Sequence, residues 1–339
     1  MLKPYIQKVI NRQNLTAEEA EAAMTIIMDG EATDAQIGGY LVGLRMKGET
    51  VAEITGSARA MRAHAAPIHL NINGDALLDT AGTGGDGAHT FNISTAAAFV
   101  IAGTGRKVAK HGNRAASSKC GSADVLAELG INLDLTPDQV GRCIDEVGIG
   151  FLFAPKFHPA MKYAIGPRRQ LGQRTIFNIL GPLTNPAGAT HQVIGVFDPE
   201  LTQPMAEVLG ELGGRAALVV HGHGGLDELT TAGPNRVSHL KDGAVNTYEL
   251  DAAELGLKPA QPEDLRGGDP AENAQMLRAL LNGKDQSPRC DVVVLNAAAA
   301  LASESGDFPN AIAEARQSLD GGAALAKLNH LLLMSQSFA

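Results

Sequence analysis

Apolar residues in the first 66 positions return every three or four places. Ala20, Met24 and Ile27 share one helical face, and Ile37, Leu41 and Leu44 share another. Three hydroxyl residues are each followed three places later by Glu or Gln: Thr16 with Glu19, Thr33 with Gln36, and Thr50 with Glu53. In this spacing the hydroxyl accepts from a first-turn amide while the acid or amide reaches back, so three helices are expected to start there. Gly30 and Gly48 stand where C-terminal caps belong. Gly38, Gly39 and Gly43 fall inside the second helix, where glycine lowers stability. Close packing of another backbone, in a helical domain or a dimer contact, would account for them.

From about residue 75 short apolar runs alternate with glycine-rich turns and alanine-rich stretches, as in a sheet flanked by helices. Leu77 to Thr80, Lys107 to Ala109, Val193 to Phe197, Ala216 to Val220 and Val292 to Leu295 read as strands. Thr95 to Ala102 and Ala123 to Leu129 read as helices, and Thr136 with Pro137 opens another. Lys258 to Ala271, rich in Pro, Gly, Asp and Glu, reads as an exposed loop. The expected fold is α/β: a small N-terminal all-helical domain and a larger domain with a central, mainly parallel sheet flanked by helices. The expected division is 1–70, with a contribution from about 157–180, and 71–339.

Length and composition narrow the function. The 339 residues suit about two domains and a large core. No apolar stretch approaches the roughly 20 residues of a membrane span, and the start MLKPYIQKVINRQNL lacks the apolar core of a secretion signal, so a cytoplasmic protein without a membrane partner is expected. Cys120, Cys143 and Cys290 are scattered and without CxxC spacing, which suggests neither a disulfide framework nor a thiolate zinc site. A net charge of -9 argues against general nucleic-acid binding and leaves small anions open.

Residues 82–95, GTGGDGAHTFNIST, carry the first chemical signal. Gly82, Gly84 and Gly87 fit GxGxxG, but no acid stands about 20 positions on, and no GK[ST] follows as a P-loop requires. A strand, a glycine turn with an acid, and Asn92, Ser94 and Thr95 opening a helix remain. Backbone amides and short hydroxyls there make an anion site, and a serine oxygen can ligate magnesium. An ordinary tight turn with a Ser/Thr cap is the other reading. The second signal is KHGNRAASS at 110–118. Lys110 and Arg114 offer charge to phosphate, Gly112 permits close approach, and Asn113, Ser117 and Ser118 add neutral groups. A solvated basic turn is its bland alternative.

GTGGDGAHTFNIST, KHGNRAASSKCGSADVLAELG, FHPAMKYAIGPRRQLGQRTIFNILGPLTNP and GGLDELT, in this order, resemble the anthranilate phosphoribosyltransferase family of the tryptophan pathway. The likeness runs to about residue 235 and continues less distinctively to the end. It implies that phosphoribosyl pyrophosphate is bound by Gly82, Gly85, Asp86, Thr90, Asn92, Ile93, Ser94 and Thr95, by Lys110, His111, Gly112, Asn113, Arg114, Ala115, Ala116, Ser117 and Ser118, and by Ser122. It implies that anthranilate is held by Gly82, Asn113 and Arg168, and Mg²⁺ by Ser94, Asp227 and Glu228. A homodimer through the helical domain is implied as well. No residue is assigned as general acid or base, since the anthranilate amine already carries a free lone pair and orientation matters more. His221 and His223 near Asp227 are too loose a pattern for a zinc site. A pyrimidine nucleoside phosphorylase-like enzyme and a non-catalytic nucleotide- or nucleic-acid-binding relative are the alternatives.

Overall fold

Each of the three pairs of a hydroxyl with Glu or Gln caps a helix in the computed structural model, which describes residues 2–72, 74–115 and 118–338. Thr16 Oγ1 accepts from the Glu19 amide at 3.2 Å while the Glu19 carboxylate accepts from the Thr16 amide, opening α2 (Ala17–Met28) after the short α1 (Lys3–Ile10). Thr33 with Gln36 opens α3 (Asp34–Lys47), and Thr50 with Glu53 opens α4 (Val51–Ala63) in the same way. Glu53 is fully buried and answered by Lys47 at 2.8 Å. Of the three glycines inside α3, only Gly43 is crowded: a Cβ there would stand 2.6 Å from Val9 of α1, whereas Gly38 has no neighbour within 4 Å and Gly39 only Ile6 at that limit.

The strands are β1 (Leu77–Gly82), β2 (Lys107–Gly112), β3 (Ile149–Phe153), β4 (His191–Gly195), β5 (Ala216–His221), β6 (Asn235–Lys241) and β7 (Ala244–Leu250). They form one sheet in the order β3-β2-β1-β4-β5-β6-β7. The first five are parallel, and β6 and β7 add an antiparallel hairpin at one edge. Between and after them lie α5 (Ile93–Gly103), α6 (Ser122–Glu128), α7 (Pro137–Arg142), α8 (Ala154–Phe157), α9 (Lys162–Leu171), α10 (Phe177–Leu183), α11 (Thr202–Glu211), α12 (Pro262–Leu265), α13 (Pro270–Leu281), α14 (Pro288–Leu301), α15 (Phe308–Asp320) and α16 (Ala323–Gln336).

The alternation of β5 shows how the core divides. Leu218 and Val220 face a layer that includes Phe99 of α5, Val293 and Val294 of α14, Ala315 of α15 and Leu328 of α16. Ala217 and Val219 face the other layer, with Met205 and Leu209 of α11 and then Met24, Leu41 and Ile54 of the N-terminal helices. α9 packs on α2 and α3, and α10 packs on α4. Among the described residues no helix is long and apolar enough to cross a membrane.

One expected strand is overturned. Val292 to Leu295 belongs to α14, whose buried side chains run unbroken from Asp291 to Ala300. The three valines suggested β-structure, but an apolar run this long, entered through Pro288, is a helix buried on all sides. The exposed loop at 258–271 also carries more structure than expected. It contains α12, and its end is pinned by hydrogen bonds from Phe91 N–H to Leu265 O and from Gly267 N–H to His89 O, both 2.9 Å.

Candidate active site

In chain order the sheet grows from β1 to β2 and β3 on one side, and then to β4 and β5 on the other. The carboxyl ends of β1 and β4 therefore border the crevice at which open α/β sheets bind ligands. The segments following β1, β2 and β5 meet there.

The strand ends are bare for a steric reason. Gly82 pairs in register with Gly195, and the Asp227 backbone crosses over both. A Cβ on Gly82 would stand 2.5 Å from Asp227 Oδ2, and one on Gly195 only 1.5 Å from the Asp227 carbonyl oxygen. The loop then turns through Gly84 and Gly85 at φ +68° and +79°, conformations that favour glycine. Gly84 N–H donates to Asp227 Oδ2 at 2.6 Å, and Asp227 N–H donates to Asp86 Oδ2 at 3.4 Å. Thus the glycine loop and the acidic turn hold each other in place.

The start of α5 departs from the ordinary cap. The Asn92 side chain does not cap the helix; it donates to the Cys120 carbonyl at 3.2 Å and accepts from Asn273 at 3.0 Å. Glu228 Oε1 instead accepts from Ser94 N–H at 3.1 Å, so an acid 134 residues away occupies the helix start. Thr95 Oγ1 is buried and has no partner among the described residues. An unpaired hydroxyl in this position suits an incoming oxygen acceptor.

Lys110, at the end of β2, is buried and donates to the Thr80 carbonyl. Burial pushes its ammonium down, while Asp79 and Glu228 pull it back up. Asp79 is fully buried and accepts from His111 N–H at 3.1 Å and Asn185 Nδ2 at 2.7 Å, tying the strand ends together. His111 lies 5.1 Å from His158 between ring centroids. Burial lowers them to about 3 and about 4, so both rings are neutral near pH 7. A Cβ on Gly112 would meet Ser122 Oγ at 2.2 Å and the Phe151 ring at 2.8 Å, so one of them would have to move. Arg114 is engaged already, by Asp124 at 2.9 Å and over the Phe153 ring.

Burial, aided by Asp86, raises Asp227 to about 7; burial, aided by Asp227, raises Glu228 to about 8. Two half-buried carboxylates repelling one another, beside Ser94 and the unpaired Thr95 hydroxyl, fit a hard cation that brings its own ligands. Among the described residues no three His, Cys, Asp or Glu side chains form a metal cluster. Magnesium needs none, because it commonly takes one or two carboxylates and completes its shell with water and substrate phosphates.

These elements line one cavity of about 390 Å³. Its wall includes Gly82, Gly85, Asp86, Thr90, Asn92, Ile93, Ser94, Thr95, Lys110, His111, Gly112, Asn113, Arg114, Ala115, Ser118, Ser122, Asp227 and Glu228, all named from sequence. Ala116 and Ser117 lie outside the described residues. Arg168 does not line the cavity; it sits on α9 with its guanidinium 5.0 Å from the centre of the Phe177 ring. Phe177 directly precedes Asn178, which does line it. Sequence reasoning missed Asn178, Gly195 and Arg174. Arg174 donates to the Gly85 carbonyl and stacks 4.0 Å from the Phe197 ring centre, steadying the glycine loop.

The chain matches the family models described as Glycosyl transferase family, helical bundle domain, over residues 3–65, and Glycosyl transferase family, a/b domain, over residues 74–325. It is 55% identical to anthranilate phosphoribosyltransferase of Moorella thermoacetica, covering 100% of each chain. It superposes on the crystal structure of the Thermus thermophilus enzyme of the same name with a TM-score of 0.93 and 46% identity, covering 98% of this chain and 99% of that one. The Saccharomyces cerevisiae enzyme, solved in complex with PRPP and Mg, gives a TM-score of 0.91 and 29% identity over 99% and 98% of the two chains.

Proposed function

This chain belongs to the anthranilate phosphoribosyltransferase family, and we infer that it transfers the phosphoribosyl group of phosphoribosyl pyrophosphate to the amine of anthranilate, with Mg²⁺, in tryptophan biosynthesis. The observation that carries this reading is the meeting of the glycine loop, the basic turn and the Asp227–Glu228 pair around one cavity. The acidic pair and the near-full-length likeness favour a transferase over a phosphorylase or a non-catalytic binder.

Breaking the bond between C1 and pyrophosphate builds positive charge on the sugar and negative charge on the leaving oxygens. Ser94, Asp227 and Glu228 would hold Mg²⁺, which when bound stabilises the departing diphosphate. The Gly85 amide, the Thr95 hydroxyl and Lys110 supply further donors to the phosphates. Asn113 and Gly82 orient the acceptor amine. Arg168 pairs with the anthranilate carboxylate, a role supported by its stacking on Phe177 beside the cavity wall. His111, neutral and buried, positions rather than transfers a proton.

The helical part is assigned to residues 1–70 with about 157–180, a division supported by the packing of α9 on α2 and α3, and the α/β part to 71–339. The dimer is assigned to the same helices, where Ile10, Val42, Met46, Tyr163 and Ile165 are exposed apolar side chains. A cytoplasmic location accords with a biosynthetic enzyme of this kind. Incubating the purified protein with magnesium, phosphoribosyl pyrophosphate and anthranilate should extinguish anthranilate fluorescence and release pyrophosphate. Persistent fluorescence beside an active control enzyme would refute the activity.

A further inference from the structure

A second cavity of about 360 Å³ adjoins the first and shares with it Gly87, His89, Thr90, Ser118 and Cys120. Among the described residues its charged side chains are Lys119 and Arg266, and no Asp or Glu lines it. Nearby Arg114 and Arg289 are paired with Asp124 and Asp285, whereas Lys119 and Arg266 take part in none of the ion pairs among the described residues. In a chain of net charge -9, two free cations facing a shared hollow mark a place for an anion.

Arg266 is far from the glycine loop in sequence but fixed to it in space. Thr90 and Arg266 form an antiparallel bridge, flanked by the hydrogen bonds Phe91 N–H to Leu265 O and Gly267 N–H to His89 O. A Cβ on Gly267 would stand 2.8 Å from the Thr90 carbonyl oxygen, so only glycine permits this approach. His89, at the rim common to both cavities, holds φ +53°, a conformation rarely kept by a non-glycine residue without reason.

We propose that this second cavity is a phosphate-anion site continuous with the donor cavity, in which Lys119 and Arg266 receive the diphosphate as it parts from the sugar. The proposal rests on the transferase reading above. The same chemistry would serve a phosphate still attached to the donor, and kinetics separate the two sources.

The test compares the full chain with the double variant Lys119→Gln/Arg266→Gln, checked for folding by thermal melting. Losing two charge-assisted contacts should weaken inhibition by added inorganic pyrophosphate roughly tenfold. If the donor KM stays within about twofold, the site serves the released product; if it rises in parallel, the site serves the donor's own phosphates. An active, folded double variant with both constants unchanged would overturn the proposal. Should the parent protein show no transfer at all, the activity assignment fails instead. Calorimetric titration with inorganic pyrophosphate then still decides the site, because equal affinity of parent and double variant would exclude it.

Discussion

At the scale of single residues, the Asp227–Glu228 pair ties stability to pH. Glu228 is raised to about 8, so between the ordinary carboxylate range and that value the folded state keeps a proton that the unfolded chain has lost. Stability therefore falls as pH rises through this window. Without magnesium, the melting temperature should decline from about pH 5 to about pH 8, and Glu228→Gln, which keeps an acceptor for Ser94 but cannot ionise, should flatten the decline. Equal slopes in differential scanning fluorimetry would remove Glu228 from this role. Added magnesium should recover the loss most strongly at the alkaline end, where the carboxylates are ionised. The proposed role of Arg168 in holding anthranilate makes a separate prediction. Arg168→Ala should raise the KM for anthranilate by about tenfold or more, while the donor KM moves less than about twofold. Equal shifts in steady-state assays would place Arg168 in the scaffold instead.

At the scale of elements, the site depends on backbones lying close together, and this decides what could be read from the chain. The Thr16, Thr33 and Thr50 helix starts were legible because their partners are three residues away. The glycine loop and the basic turn were legible because each packs its chemistry into a short segment after a strand. Gly195 was not, since its requirement comes from the Asp227 carbonyl brought over it by folding. Arg174 and Arg266 were missed for the same reason: their importance lies in reaching Gly85 and Thr90 from distant segments. Valines at 292–294 misled because β-branched residues inside a wholly buried helix look like strand. Gly195→Ala tests this non-local contact. The added methyl must displace the acidic turn, so kcat/KM should fall at least about tenfold and stability should fall by about 1–3 kcal/mol. Wild-type turnover and melting temperature in that variant would show that the crossing is loose.

For the whole molecule, the distribution of apolar surface separates the two ends of the structure. The α/β part covers its sheet with α5, α14, α15 and α16 on one face and α11 on the other. The large hydrophobic side chains left exposed, apart from Leu333 on α16, gather on α1, α3 and α9. Gly38 of α3 has open space where a neighbour's side chain or backbone could enter, and Gly39 meets only Ile6 at 4.0 Å, unlike Gly43, which is filled by Val9 within the chain. A second copy meeting this surface would cover Ile10 and Met46, which are 61% and 72% exposed in the single chain. Replacing both by glutamate puts two charges per chain into the proposed contact without disturbing a buried side chain. Sedimentation equilibrium should then shift from a two-chain to a one-chain mass, while transfer activity per chain should persist, since neither Ile10 nor Met46 lines the cavity. A double variant that still sediments as two chains would move the interface elsewhere, and a parent that sediments as one chain would remove it.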